Sequence, residues 1–417
     1  MTARCRASGS RPRPGLAPLG RAALPAATGA LALLLLGAAG AARADSDDDA
    51  GWRIALRSAH HSDALALRAM DQGDARRLAP RPGRNLAYID DELRLSRSQG
   101  HWQWSLLARS SATLVASADT LTLAARLASA GLPQADHRWQ TDVRLRGFTG
   151  AGIELGRSHQ PWASAAAALP ASTSADADAG AAAQAATAGP ARWSLRWSAQ
   201  VLSLARWRDR RITGPVAFDA ASASYAFDLQ STETDQRLRF PFQQPAAARG
   251  TALLLAGELA WLGGPWSASV ALRDLGQLRW PGIAQQQATL ATATQAVDAD
   301  GLVVYRPLIN GSSRQDGLSA AAPWRLKLLL GRQMAAGLLP AGQLALVIDA
   351  LPGFGALPGL QWQQGLGPVT LGAGWLLHER RASLSLAWQR WQLRLGADRL
   401  AADAHSRELA LAGTWPF

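Results

Sequence analysis

SRELALAGTWPF, residues Ser406 to Phe417, alternates with a period of two. Leu409, Leu411, Gly413, Trp415 and Phe417 fall on one side, and Ala410, Ala412 and Thr414 on the other. Successive side chains of a strand point to opposite faces, so this stretch is a strand with one apolar face that ends on an aromatic residue. A closing strand of a membrane-spanning β-barrel has these properties: an apolar side for lipid and a partner on each edge. Pro416 interrupts the pattern. It has no N–H to give to a ladder, so it must face away from the partner strand or sit at the end of the sheet.

The same alternation recurs upstream. Leu384, Leu386 and Trp388 oppose Ser383, Ser385 and Ala387, and Leu326, Leu328 and Leu330 oppose Arg325 and Lys327. In Arg138 to Gly147, Trp139, Val143 and Leu145 face one way while Arg138, Gln140, Asp142, Arg144 and Arg146 face the other. A helix would repeat its apolar residues every three or four positions, so the period argues for strands throughout. Trp102, Trp104 and Leu106, then Trp193, Leu195 and Trp197, fit the same scheme, as does Leu121 with Leu123. The phase slips near Val201-Leu202, which predicts a bulge or turn. Trp261 and Trp266 bracket the Gly263–Pro265 turn, and Trp388 and Trp391 bracket Gln389-Arg390, which places each pair at one depth.

Leu411-x-Gly413-x-Trp415-x-Phe417 resembles the C-terminal sorting signal of bacterial outer-membrane β-barrel proteins. That resemblance implies insertion into outer-membrane lipid by the barrel-assembly machinery. It specifies an architecture and a place, and no activity.

Composition points the same way. Trp outnumbers Tyr 17 to 3, and Trp is favoured where a membrane meets water. Beyond residue 44 no apolar run approaches the roughly 18 residues of a transmembrane helix. A membrane chain without such a run must satisfy its backbone between strands, in a closed barrel. Residues 1–44 read as a secretory signal. Arg4, Arg6, Arg11, Arg13 and Arg21 precede the apolar Leu31–Leu36, and Ala42-Arg43-Ala44 supplies a small-x-small cleavage site. With Arg43, the six arginines of this segment carry half the formal charge of +12 and leave +6 for the rest. No Lys/Arg block remains to suggest a nucleic-acid partner. The single cysteine, Cys5, lies inside the signal, so residues 45–417 form no disulfide.

The expected fold is all-β: a transmembrane antiparallel barrel of roughly 14 strands, within a range of about 12 to 16 and even in number, spanning residues 45–417. Pro161–Pro190 is Ala/Ser/Asp/Thr-rich and reads as one long mobile loop, with a domain linker as the rival reading. Asn310–Pro323 reads as a polar loop, and Pro281–Asp300 as a short helix or an inward loop on the periplasmic side.

On the face expected to line the lumen, basic residues recur: Arg94, Arg138, Arg144, Arg146, Arg196, Arg273, Arg325, Lys327 and Arg394. Such a ring would concentrate anions, so the leading expectation is a channel or transporter for a small anionic solute. The alternative for these residues is mutual satisfaction with other luminal groups. Asp90, Asp91 and Glu92 read as a solvated strand-end cluster, with pairing to the arginines as the other possibility; Asp90 and Glu92 share a face and Asp91 opposes them. His60 and His61 diverge and the remaining histidines are scattered, so no metal site or cofactor is expected. Ser383, Ser385 and His378 lie near one hairpin, the only hint of a lipid-modifying enzyme. A barrel with a plugged interior serving assembly or anchoring, and a periplasmic β-sandwich, complete the alternatives.

Overall fold

The computed structural model describes residues 51–159, 191–239, 247–293, 295–297, 303–305, 307–335 and 341–416. The expected signal at residues 1–44, the expected loop Pro161–Pro190 and Phe417 lie outside the described residues. In chain order the strands are β1 (Gly51–Ser62), β2 (Arg84–Gln99), β3 (Trp102–Ser117), β4 (His137–His159), β5 (Arg192–Asp219), β6 (Ser224–Asp235), β7 (Gly250–Gly263) and β8 (Trp266–Ala291). Then come β9 (Gln295–Val297), β10 (Val303–Tyr305), β11 (Ile309–Ala321), β12 (Arg325–Met334), β13 (Gly342–Leu351) and β14 (Gly355–Leu366). The last are β15 (Val369–Leu376), β16 (Arg381–Trp388), β17 (Trp391–Ala397) and β18 (Ser406–Pro416). Two helices, α1 (Leu67–Gln72) and α2 (Ala118–Ala128), accompany them.

Every pairing is antiparallel, and the sheet closes on itself. β18 pairs with β17 on one edge and with β1 on the other, Trp52 opposite Trp415 and Leu56 opposite Leu411. The ladder continues through β2, β3, β4, β5, β7, β8 and β12 to β18. Two positions of the wall are each built from two collinear segments. β5 pairs with β7 along Arg192–Leu204 and with β6 along Arg208–Asp219. β8 pairs likewise with β12 along Trp266–Arg273 and with β11 along Gln277–Leu290. The result is a closed antiparallel barrel of 14 strand positions, the number expected from the spacing of the alternating segments. Closure removes the free edges that an open sheet would offer to other chains.

The face assignment follows the sequence pattern. Trp104, Leu106, Ile153, Leu195, Val270, Leu330, Leu384, Leu386, Leu395 and Leu411 are exposed on the outer surface, while residues of the opposite parity point into the interior. The apolar rows therefore face outward, not into a sandwich core. At the end bearing Gly51 and Pro416, here the near end, tryptophans meet edge to face: Trp52–Trp104 at 5.2 Å, Trp102–Trp197 at 6.2 Å and Trp391–Trp415 at 5.5 Å. The near-end hairpins are tight, with Gly264 and Gly367 in the left-handed region that a two-residue turn requires (φ 54° and 59°). Trp388 pairs directly with Trp391, and Trp261 stands beside the Gly263–Trp266 closure.

Four local expectations are corrected. Leu121 and Leu123 belong to helix α2, where both are buried. Ser117 caps its start by accepting from the Thr120 N–H (3.2 Å), Asp119 occupies the first turn, and Leu121, Ala124, Ala125 and Ala128 recur at helical spacing. Two leucines two residues apart were too short a sample of the period. Asn310–Ala321 is strand, because β11 finds the free outer part of β8. Pro281–Ala291 likewise continues β8, and it lies at the far end, opposite the termini. The bulge falls at Ala205, not Val201-Leu202: Leu204 pairs with Gly150 and Arg206 with Thr149, leaving Ala205 without an opposite residue.

Candidate functional site

Inward-facing residues of β2 and β3 begin the site. Asp90, Glu92 and Arg94 alternate on β2, and Leu107, Arg109 and Ser111 on β3. In most sheets these would face water. Here the closed sheet turns them inward, where Asp90, Arg94 and Arg109 are buried, and a buried charge is tolerated only when paired and hydrogen-bonded. The pairs form accordingly. Arg94 binds Glu92 (Nε–Oε1 2.8 Å) and Glu154 of β4 (2.7 Å), and Gln200 of β5 donates to Glu154 at 2.5 Å. Arg109 grips Asp274 of β8 with both terminal nitrogens, at 2.6 and 2.9 Å, and donates to Gln200 at 3.0 Å.

The bulge in β8 supplies the partner from the other wall. Gly257 pairs with Leu272 and Leu255 with Leu275, so Arg273 and Asp274 fall between paired positions, with Asp274 at φ 62°. Both then reach inward, Arg273 to Glu92 (3.1 Å) and Asp274 to Arg109. Arg325 of β12 reaches Asp90 at 2.9 Å and Ser111 at 3.2 Å, and Arg57 of β1 approaches Asp90 at 3.6 Å. β2 and β12 stand six wall positions apart in a ring of 14, so these ion pairs cross the interior.

Two cavities adjoin the layer. One, of about 90 Å³, is bounded by Glu92, Arg94 and Arg273 together with Gly100, Trp102 and Arg196. The other, of about 240 Å³, is bounded by the same three residues and by Arg53, Arg57 and Arg394. Amides and hydroxyls, among them Gln361, Gln363, Ser383, Ser385 and Gln392, complete its wall beside Ala55, Ala410 and Ala412. Glu92 is the only carboxylate of that lining.

Apolar side chains fill other parts of the interior. Leu107, Phe148, Leu204, Trp207, Leu254, Leu278 and Trp280 pack together beside Arg109, and the Arg109 guanidinium lies 5.7 Å from the Phe148 ring centre. Toward the far end, Leu86 and Tyr88 of β2 meet Leu351 and Leu357 of β13 and β14 across the barrel.

The arginines singled out from sequence divide into two groups. Arg94, Arg273 and Arg325 sit in the crossing layer. Arg196 pairs with Glu258 at 3.6 Å and Arg394 with Glu408 at 3.4 Å, nearer the termini. Lys327 stands opposite Asp349 in the β12–β13 register. Arg138, Arg144 and Arg146 lie in the outer part of β4, away from both cavities; Arg138 is exposed, and the other two pair with Asp209 at 3.7 and 2.9 Å. The acidic run is not a solvated strand end. Asp90 and Glu92 are taken up by the layer, and Asp91, on the outer face, accepts from Ser58 (2.7 Å) and pairs with His60 (3.0 Å). The key residues that periodicity alone did not single out are Arg109 and Asp274. Asp274 left a trace, since the apolar parity changes between Leu272 and Leu275.

The chain matches no protein-family model and no curated protein. Among solved structures it is similar to the Pseudomonas putida toluene transporter TodX, at 10% identity over 89% of this chain and 91% of that one, with a TM-score of 0.34. It is also similar to a TodX deletion mutant described as a monoaromatic hydrocarbon channel (9% identity, 89% and 91% covered, TM-score 0.37). A third such structure is the monoaromatic hydrocarbon channel CymD (9% identity, 88% and 88% covered, TM-score 0.32).

A second polar cluster holds the far end. His61 of β1, Asp63 just beyond it and His378 of the β15–β16 connection come together, with ligand-capable atoms within 4.8 Å of one another. Scattered sequence positions gave no hint of this. Asp63 is already fully engaged: it accepts from the Leu86 N–H (2.7 Å), pairs with Arg81 (2.7 Å), and meets His61 (3.1 Å) and His378 (3.0 Å). His378 is thereby tied to Asp63, while Ser383 accepts from Arg394 (3.4 Å), so the serines and the histidine serve different partners. Burial alone would push the Asp63 carboxyl up, but hydrogen bonds from His378 and His61 outweigh it and hold the group well below the usual carboxylate range. A carboxyl with a depressed folded value contributes its full stability above its unfolded value, about pH 4, and loses it as pH falls further. Amide exchange in residues 63–83 is therefore expected to stay slow through pH 5 and to quicken only below about pH 4.

Proposed function

We propose that this protein is an outer-membrane β-barrel, exported by its N-terminal signal and inserted by the barrel-assembly machinery, that passes or binds a small anionic solute. One observation carries the reading: the cavity of about 240 Å³ is lined by Arg53, Arg57, Arg94, Arg273 and Arg394 with Glu92 as the one carboxylate among its described lining residues, while Asp90, Glu154 and Glu408 pair Arg57, Arg94 and Arg394 from outside that lining. A low-dielectric wall strengthens the field of such groups and raises the local concentration of anions. Gln361, Gln363 and Gln392 add neutral donors that a carboxylate, phosphate or sulfonate can use, and the alanines leave room for the rest of the molecule. Transport in this reading is passive and needs no cofactor.

The test is single-channel recording on the protein reconstituted in a planar bilayer under a salt gradient. The reversal potential is expected to show anions permeating in preference to cations. Cation preference would refute the anionic assignment. The ion pairs that cross the interior favour a second reading, a filled barrel that serves as an anchor or assembly component; a complete absence of conductance at all voltages, with an intact barrel, would select it.

A further inference from the structure

Glu92 differs from the other acids of the charged layer in what surrounds it. Its two carboxylate oxygens meet three guanidinium groups: Oε1 lies 2.8 Å from Arg94 Nε, and Oε2 lies 3.2 Å from Arg109 Nε and 3.1 Å from Arg273 Nη2. It also forms part of the boundary of both cavities, as do Arg94 and Arg273. Accessibility separates two kinds of pair within the layer. The side chains of Arg109 and Asp274 are 2% and 3% exposed, whereas those of Arg273 and Glu92 are 24% and 13% exposed. The first pair is sealed. The second can be reached from the cavities.

The partners of the three arginines are also unequal. Were Glu92 to swing away, Arg109 would keep Asp274 and Arg94 would keep Glu154. Among the described residues, Glu92 is the carboxylate that Arg273 contacts. An incoming anion can therefore take over this position by replacing the three Glu92 contacts, while the Arg109–Asp274 and Arg94–Glu154 pairs stay intact.

We propose that the Glu92 carboxylate is a tethered stand-in for the anionic group of the solute: it occupies an anion station formed by Arg94, Arg109 and Arg273, and a carboxylate-bearing solute displaces it there. This rests on the anionic reading above and deepens it. The station lies between the two cavities, so displacement moves the solute's head group from one side of the partition to the other while the released Glu92 side chain turns aside. The tether discriminates against neutral molecules, which cannot replace a carboxylate on three guanidiniums without leaving them unpaired.

The experiment is calorimetric titration of the detergent-purified barrel with benzoate, and with benzamide as the neutral molecule of the same shape. Glu92→Ala and Glu92→Gln remove the competitor, so benzoate is expected to bind either variant tighter than wild type by about tenfold or more, a charge-assisted hydrogen bond being sufficient for this. Benzamide affinity stays unchanged, and adding Arg273→Gln cancels the gain. Equal benzoate affinity in wild type and variants, or an equal gain for benzamide, overturns the proposal. Heat-modifiable gel mobility verifies that each variant is a folded barrel. Should neither fold, wild-type crystals soaked in 4-bromobenzoate decide: bromine density placing the carboxylate on Arg273 with Glu92 displaced supports the station, and Glu92 unmoved with the ligand elsewhere refutes it. Tight binding in the Glu92 variants without anion conduction would keep the station and reject the channel. Anion conduction with no gain in binding would do the reverse.

Discussion

Arg109→Ala is expected to lower the unfolding free energy of the barrel by about 3–5 kcal/mol, the usual result of removing one partner of a buried ion pair. Asp274, 3% exposed, would lose both of its short contacts to Arg109. It sits in a bulge at φ 62° and is buried, so the carboxylate left without Arg109 is also cut off from solvent. Glu92 and Gln200 would each lose a contact as well, although Glu92 keeps Arg94 and Arg273. Urea unfolding of the barrel in lipid vesicles, followed by tryptophan fluorescence, measures the loss. The double variant Arg109→Met with Asp274→Leu should recover part of it, because a buried pair replaced by apolar groups of similar volume is often neutral, less the roughly 1–2 kcal/mol that a leucine costs in the left-handed backbone of residue 274. A single variant as stable as wild type would mean that water, not protein, solvates this part of the interior.

Leu384→Arg should destabilise the folded barrel by about 2–4 kcal/mol in vesicles, the cost of a charge facing lipid near the middle of the membrane. Leu384 is 70% exposed in a surface of leucine and tryptophan, between Ala373 of β15 and Leu395 of β17. It lies four positions before Trp388, which pairs with Trp391 at the near end. The neighbouring inward position provides the control: Ser383 borders the larger cavity, so Ser383→Arg meets polar groups and should cost much less in stability while altering conductance. Reversal of this order would put the leucine rows against something other than lipid.

These two predictions draw on different kinds of information. The outer surface was legible in the chain itself. Leu384, Leu386 and Trp388 announce their face because the pleat of a strand has a fixed period of two, a local property of the backbone. The same period fixed the direction of Glu92 and Arg94, and the strong closing strand Ser406–Pro416 announced that the sheet is sealed. What periodicity cannot supply is the partner of an inward group. Arg109 and Asp274 are 165 residues apart, and Asp63 and His378 are 315 apart. Their meeting depends on strand order, on register and on a bulge in β8 that brings two successive residues inward.

The helix α2 illustrates the same limit on a smaller scale: Leu121 and Leu123 stand at the spacing of a strand, and the positions that continue the helical period, Ala124, Ala125 and Ala128, carry only small side chains. Sequence by itself determined that this chain forms a barrel with an oily exterior and an arginine-bearing interior, because alternation and composition are written residue by residue. Only the tertiary structure decided that the interior arginines meet carboxylates from opposite walls, and that one of those carboxylates, Glu92, stands within reach of two cavities. Charge pairing across a closed surface is a matter of distance, and distance between remote residues exists only once the barrel has shut.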